Sequence, residues 1–260
     1  MTTEAATRRM PGAPCWVSLL AHSLPATQEF YGALFGWEFR PGPRHFGPYA
    51  RAFLDGREVA GIGELAPDRD LPVAWTTYLA SNDADVTAEQ IRCCGGTVGV
   101  GPLDADDDAG RMAIGSDPQG AIFGIWQGRT MMGTAITGEP GTPAWNELVT
   151  QDTASVGPFY EHVFGFETEP SAPAGGADDY LTLSLKGRAV AGIHGVGGDR
   201  LRDGGPHWLT YFAVPHTDAA VRRVTELGGH VLAAAHDSPH GRLATVADPE
   251  GAVFAVIERG

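Results

Sequence analysis

The chain repeats itself at a nearly constant interval, and this repeat limits the possible folds more than any other feature. The segment FYGALFGW at 30–37 returns as FYEHVFGF at 159–166, which is 129 residues later. The turn Asp-Pro-x-Gly at 117–120 returns at 248–251. Other matching positions keep a similar spacing, so insertions are confined to loops. The sequence therefore predicts two copies of one structural unit.

Each copy follows the order strand, helix, three strands, and then the same order again. The apolar run 16–21 predicts a strand, and Ser23 is placed to cap a helix that ends at Gly36. The dipeptide Asp55–Gly56 predicts a hairpin turn. Asp83 is placed to cap a second helix. We therefore predict an α+β protein built from four βαβββ units.

The repeat also sets the expected domain boundaries. Residues 1–12 precede the first copy and are expected to form a flexible tail. The first domain is predicted at 13–128 and the second at 143–260. The segment 129–142, which is rich in glycine and proline, is predicted to be the linker between them.

Composition and charge narrow the range of partners. Hydrophobic residues make up 43% of the 260 residues, as in a globular protein. The formal net charge of −14 argues against nucleic acid and against an anionic membrane as partners. No stretch approaches the roughly 18 apolar residues of a membrane span. We expect a cytoplasmic protein, either a monomer or a homodimer, whose partner is a small organic molecule.

The repeated motifs resemble a known superfamily. A helix that ends in Phe-Tyr-x-x-x-Phe-Gly, a Gly-Gly pair after the second helix and a late Asp-Pro-x-Gly are similar to the vicinal oxygen chelate superfamily of glyoxalases, bleomycin-resistance proteins and extradiol dioxygenases. The chain is most similar to tandem-domain members often labelled hydroxylases or glyoxalase-like proteins. The resemblance implies that two βαβββ units curl into a cup-shaped mixed sheet around a cavity, so that the chain forms two such glyoxalase-like domains. It also implies a divalent metal held by His, Gln and Glu.

The residues at the metal-ligand positions depart from that pattern. The resemblance places these positions at Trp16, Gly61, Thr76 and Gly124 in the first half, and at Trp145, Gly192, Leu209 and Ala255 in the second half. None of the eight is a usual ligand, although a divalent site needs three or four N, O or S donors. We therefore expect no cofactor, because the ligand positions do not support a divalent metal.

The replacements suggest a site for an organic ligand. Trp16 and Trp145 offer flat apolar faces, and the glycines are expected to leave room on the floor of each cup. A planar, fairly apolar molecule would suit such a cavity. The residues predicted to bind it are Trp145, Trp16, Tyr78, Ser18, Trp126 and Leu209. In the alternative interpretation the tryptophans only fill the core.

Strand alternation predicts a second set of side chains on the same faces. Residues two apart share a face, which groups Glu147, His194 and Tyr211 in the second half. A carboxylate in an apolar cup suits general acid–base catalysis, His194 could share the proton transfer, and Tyr211 could donate to a developing oxyanion. We predict these three as catalytic. In the alternative, Glu147 binds a neighbouring backbone group or arginine, and His194 lies in solvent at a strand end.

Three functions are compatible with these residues. The first is a metal-independent enzyme of natural-product metabolism that binds a planar or aromatic molecule and catalyses isomerisation, cyclisation or dehydration. The second is a non-catalytic protein that sequesters a drug-like compound, as resistance members of the superfamily do. The third is a dioxygenase or glyoxalase that binds its metal with shifted ligands.

Overall fold

The computed structural model describes residues 9–42, 47–66, 72–105, 108–170, 179–197, 201 and 205–259. Of the predicted tail, residues 1–8 lie outside these ranges. The elements of the first half are β1 (Pro14–Ala21), α1 (Leu24–Phe35), β2 (Glu38–Pro41), β3 (Tyr49–Leu54), β4 (Arg57–Glu64), β5 (Ala74–Ala80), α2 (Ala84–Cys93), β6 (Thr97–Asp104), β7 (Gly110–Ser116) and β8 (Ile122–Gly128). Those of the second half are β9 (Pro143–Thr150), α3 (Gly157–Phe164), β10 (Glu167–Pro170), β11 (Asp179–Leu185), β12 (Arg188–Gly195), β13 (His207–Ala213), α4 (Thr217–Glu226), β14 (His230–Ser238), β15 (Gly241–Ala247) and β16 (Val253–Glu258).

Local sequence accounts for the ends of the first two helices. The Ser23 hydroxyl accepts a hydrogen bond from the backbone N–H of Ala26 at the start of α1. Gly36 ends the same helix with a φ of 75°, in the left-handed region that glycine enters without a steric penalty. Asp83 caps α2 by accepting from the N–H groups of Asp85 and Val86. These are the capping residues that the sequence predicts.

Within the described ranges, sixteen strands form two open mixed sheets of eight strands each. Their strand orders are β2-β3-β4-β1-β5-β8-β7-β6 and β10-β11-β12-β9-β13-β16-β15-β14. Four strand pairs are parallel, namely β1–β4, β5–β8, β12–β9 and β13–β16. The hairpins β3–β4 and β11–β12 are antiparallel. The predicted α+β fold of four βαβββ units is confirmed. No helix within the described ranges is long and apolar enough to cross a membrane.

Proximity of the backbone segments divides the chain into two compact units. Of the described residues, those within 9–16, 77–135 and 147–208 form unit 1, and those within 17–76, 136–146 and 209–259 form unit 2. Both units have aromatic cores that combine residues of the two halves. In unit 1, the rings of Phe123 and Phe164 lie 5.6 Å apart, and in unit 2 those of Phe35 and Phe212 lie 5.0 Å apart. Each sheet lies within one of the predicted domains 13–128 and 143–260, but each compact unit combines residues of both. The domain boundaries therefore stay a prediction.

A buried hydrogen-bond network explains why Phe-Tyr and Asp-Pro-x-Gly occur together. In unit 1, the Tyr160 hydroxyl donates to Asp117 Oδ2 at 3.1 Å and accepts from Trp208 Nε1 at 2.9 Å. Asp117 Oδ1 accepts from the N–H groups of Gln119 and Ala121. Burial raises the pKa of Asp117 above its ordinary value, and burial beside Asp117 raises the pKa of Tyr160 well above 10.

Unit 2 contains the same network. Its tyrosine is Tyr31, which donates to Asp248 Oδ2 at 3.1 Å and accepts from Trp75 Nε1 at 3.0 Å. Burial again raises the pKa of both acids, Asp248 and the Tyr31 phenol. The Phe-Tyr motif of one half is therefore hydrogen-bonded to the Asp-Pro-x-Gly motif of the other half in both units.

Candidate functional site

Strand alternation separates core residues from site residues in unit 1. Leu148 of β9 and both Ala191 and Ile193 of β12 lie in the hydrophobic core. Their neighbours Glu147 and His194 must point to the opposite face of the sheet, because adjacent side chains alternate. The register pairs Gly192 with Glu147 and His194 with Val149. Glu147, Gly192 and His194 therefore share the face that does not pack against the helices.

The structure brings Glu147 and His194 together on this face. Glu147 Oε1 lies 3.4 Å from His194 Nδ1. The Glu147 side chain is 9% exposed and that of His194 is 27% exposed. A carboxylate this deeply buried is stabilised as an anion only by close polar groups, and the adjacent imidazole can supply a positive charge when it is protonated. The arrangement can hold a proton and pass it between the two groups.

Tyr180 of β11 is a third member of this group that the sequence did not identify. Its ring centroid lies 5.8 Å from that of His194, and it is the register partner of His194. Its hydroxyl lies above Gly192, where a Cβ atom would overlap it. The signal was present in the repeat, because Tyr49 occupies the same place in the first half. Sequence alone did not show that β11 pairs with β12 in this register.

The expectation that glycines leave empty floor space is wrong at three positions. Tyr180 lies above Gly192, Tyr49 lies above Gly61, and Tyr78 lies above Gly124, so that a Cβ atom at any of these glycines would overlap a tyrosine. The physical reason is that a glycine on one strand leaves a gap that a large side chain on the neighbouring strand fills. The floor of each face is thus aromatic, with hydroxyl groups.

Three of the predicted ligand-binding residues pack together in unit 1. Trp16, Trp126 and Tyr78 form a small cluster with Cys15. Trp16 and Trp126 are 5% and 8% exposed, and Trp126 Nε1 donates to the Met131 carbonyl at 2.9 Å. Burial raises the pKa of the Cys15 thiol to about 12, so it is inert. This burial favours the core interpretation for the two tryptophans, and ligand contact by them stays a prediction.

The remaining predicted residues belong to unit 2. The Ser18 hydroxyl lies 3.2 Å from that of Tyr49. Trp145 is half-buried, whereas Leu209 and Tyr211 are buried at 6% and 9% exposure. Tyr211 is the register partner of Ala255. That Trp145, Leu209 and Tyr211 act together with Glu147 and His194 stays a prediction.

The residues at the positions that the superfamily uses for its metal do not fit a divalent ion. Gly61, Gly124 and Gly192 supply no side-chain donor, and tyrosine rings lie above them. Within the described part of the chain, no three His, Cys, Asp or Glu side chains are grouped so that they could hold a metal ion. The side chains on this face instead form an acid–base pair beside a phenol.

Comparison with known proteins identifies the class to which this fold and these motifs belong. Residues 147–257 match the family described as the glyoxalase-like domain. The chain belongs to the glyoxalase-like proteins of the vicinal oxygen chelate superfamily. It is 36% identical to the anthracycline biosynthesis protein DauV of Streptomyces sp. (strain C5), over 97% of this chain and 95% of that protein.

Solved structures share the fold at low sequence identity. The 2,3-dioxygenase LapB of Pseudomonas sp. KL28 superposes with a TM-score of 0.67 at 16% identity, covering 97% of this chain and 94% of that one. The Mn(II)-bound glyoxalase of Novosphingobium aromaticivorans gives 0.66 at 14% identity, covering 96% and 82%. At these identities the likeness shows the fold and nothing about the reaction.

Proposed function

We propose that this protein binds a planar organic molecule of natural-product metabolism and catalyses proton transfer on it without a metal. The observation that carries the proposal is the buried carboxylate of Glu147, 3.4 Å from the imidazole of His194. A buried acid and an imidazole in contact are the groups that general acid–base catalysis uses. The homology to a protein of anthracycline biosynthesis supports an aromatic, polycyclic ligand.

The chemistry assigns a separate role to each group. Glu147 takes a proton from a carbon next to a carbonyl, and the electron pair of the broken C–H bond moves to the carbonyl oxygen. The resulting enolate oxygen accepts a hydrogen bond from a phenol, for which Tyr180 is the candidate within unit 1. Return of the proton to another carbon, with His194 sharing the transfer, completes an isomerisation. If the carbon next to the enolate carries a hydroxyl group, transfer of the proton held by Glu147 and His194 to that hydroxyl lets it leave as water, and the enolate electron pair forms the new C=C bond of a dehydration product.

The aromatic ring of Tyr180 supplies a contact surface for a planar ligand. It is half-buried and lies next to the acid–base pair, with its hydroxyl above Gly192. Ligand sites commonly combine such apolar walls with a few convergent polar groups.

The first prediction concerns Glu147→Gln, which keeps the shape of the side chain and removes its basicity. The probe is 1-tetralone, an aromatic ketone with exchangeable hydrogens next to its carbonyl. NMR in D₂O measures how fast the protein exchanges these hydrogens for deuterium. We expect Glu147→Gln to slow the exchange by about 10²-fold or more, because it removes the base. The affinity of the protein for 1-tetralone should change only a few-fold.

The matched control is Glu169→Gln. Glu169 is an exposed carboxylate of β10 on the same face. This variant should exchange tetralone at the unsubstituted rate. Equal exchange rates in the Glu147→Gln variant and the unsubstituted protein would contradict the proposal.

Sequestration of a drug-like compound is the second candidate. It is favoured by the aromatic character of the floor, where tyrosines cover glycines on three strands. A pure binder would retain ligands after Glu147→Gln and would show no exchange in either form. A metal-dependent reaction with shifted ligands would be revealed by stoichiometric metal in the purified protein.

A further inference from the structure

The row of residues that holds two acids in the second half holds two arginines in the first half, with Arg40 at the position equivalent to Glu169. In unit 1, register pairing across β10, β11, β12 and β9 aligns the acidic row, Glu169, Thr182, Gly192 and Glu147. In unit 2, pairing across β2, β3, β4 and β1 aligns the arginine row, Arg40, Arg51, Gly61 and Ser18. The two rows occupy equivalent strands of the repeat. One duplicated face has therefore acquired opposite flanking charges in its two copies.

The polar groups of the arginine row point to one kind of ligand. The Tyr49 hydroxyl lies above Gly61 and 3.2 Å from Ser18 Oγ. This places two hydroxyl groups beside the register position of Arg51. The equivalent place in the second half has Glu147 instead of Ser18. Guanidinium and hydroxyl groups in one row are donors suited to an oxyanion such as a carboxylate or a phosphate.

Arg40 retains its charge for such a ligand. Its guanidinium lies 4.1 Å from the centroid of the Phe53 ring, the side chain is exposed, and it makes no ion pair within the described ranges. Stacking on an aromatic ring orients a guanidinium without neutralising it. Glu38 lies two residues away on the same strand face, but it is exposed to solvent. Screening by water reduces its effect on Arg40.

Arg51 forms an ion pair with Glu58, but one of its side-chain nitrogen atoms makes no hydrogen bond within the described residues. Its Nη1 lies 2.7 Å from Glu58 Oε1, and its buried Nε has no hydrogen-bond partner in the described part of the chain. A buried donor without a partner is costly, so an anion that accepts from it would be favoured. The carboxylate of Glu58 competes for the same guanidinium.

Unit 2 also has space beside Arg40. Arg40 and Tyr49 line an open recess of about 680 Å³ together with Leu24 of α1 and Phe39, whereas Arg51 and Ser18 are not among its described lining residues. The recess contains aromatic and apolar surface next to a cationic group. That combination suits a small organic molecule with an anionic substituent.

From these observations we infer that the arginine row is a second ligand site, which binds the carboxylate or phosphate group of a small organic molecule. This site is separate from the proposed proton transfer, because it uses none of the residues assigned to that reaction. The duplication thus gives one face for an anion and one face for acid–base chemistry.

Isothermal titration with benzoate and with inorganic phosphate tests the inference, and the uncharged analogue benzamide serves as the reference. Arg40→Gln should weaken binding of the preferred anion by about fivefold or more, since it removes a charge-assisted contact. Glu58→Gln should strengthen binding a few-fold, because it frees Arg51. Arg57→Gln is the matched control, since Arg57 is an exposed arginine of β4 that pairs with Glu139. It should bind like the unsubstituted protein.

The outcomes distinguish the two sources of the anion. Tighter binding of benzoate identifies an organic carboxylate, and tighter binding of phosphate identifies a phosphate group. The inference is overturned if neither anion binds more tightly than benzamide, or if Arg40→Gln and Arg57→Gln behave alike. Glu147→Gln should leave benzoate affinity unchanged, so this test can fail without any consequence for the proposed proton transfer.

Discussion

Single buried hydroxyl groups connect the two halves of this chain. Tyr160 and Tyr31 each join a tryptophan N–H to an aspartate oxygen from the other half. Both aspartates have raised pKa values because burial penalises their charged form. The phenols stay neutral and act as donors. These tyrosines therefore contribute to stability through hydrogen bonding as well as through their rings.

The prediction at this scale is the effect of Tyr160→Phe. The substitution keeps the ring but leaves Trp208 Nε1 and Asp117 Oδ2 without the hydroxyl between them. We expect the free energy of unfolding to fall by about 1–3 kcal/mol, the usual cost of a buried polar group that loses its partner. Urea denaturation followed by circular dichroism measures it. Tyr31→Phe should give a similar loss, and no loss in either variant would show that the network is energetically neutral.

At the scale of secondary structure elements, the important feature is a tyrosine on one strand above a glycine on the next. In the second half, Tyr180 of β11 lies above Gly192 of β12. In the first half, Tyr49 of β3 lies above Gly61 of β4 in the same way. This arrangement positions a phenol beside Glu147 in one copy and beside Ser18 in the other. The backbone register of the hairpins, rather than the residue type alone, decides what the phenol contacts.

Substitution of Gly192 by alanine tests this arrangement. The added Cβ atom would displace the Tyr180 hydroxyl, and overpacking of this kind costs about 1–3 kcal/mol. We expect a lower midpoint of urea denaturation and slower deuterium exchange into tetralone. In the Gly192→Ala background, Tyr180→Ala should recover part of the stability, because it removes the overlapping ring.

The matched control is Gly99→Ala on β6, where no atom of the described residues, apart from the two chain neighbours, lies within 4 Å of the added Cβ. This variant should keep both stability and exchange rate. If Gly192→Ala behaved like Gly99→Ala, Tyr180 would not occupy the place above Gly192 in solution.

At the scale of the whole molecule, each compact unit contains a core made by both halves. In unit 1, Phe123 of the first half packs against Phe159, Tyr160 and Phe164 of the second half. In unit 2, Phe254 of the second half packs against Tyr31 and Phe35 of the first half. Both cores would lose aromatic contacts if the halves were separated.

We therefore predict that residues 13–128 and 143–260, expressed as separate chains, unfold at lower urea concentrations than the full chain. Each fragment would expose aromatic surface that the full chain buries, which weakens its hydrophobic stabilisation. Circular dichroism of each fragment and of an equimolar mixture measures the effect. We expect mixing to restore the cooperative transition. A fragment that unfolds alone at the same midpoint as the full chain would contradict the prediction.

Much of the candidate site could be predicted from strand alternation. It placed Glu147 and His194 on one face, and the structure brings their side chains within 3.4 Å. It did not identify Tyr180, and it assigned empty space above Gly61, Gly124 and Gly192. Alternation gives the face of each residue along its own strand, whereas the neighbour of each glycine depends on pairing between strands.

The sequence by itself determined the four βαβββ units and the capping of α1 and α2. These depend on residues a few positions apart, whose hydrogen bonds form within one turn. Only the tertiary structure decided that Tyr160 reaches Asp117 and that tyrosines cover the glycines. Such contacts join residues distant along the chain, and they are fixed by strand register and core packing, for which no local signal exists.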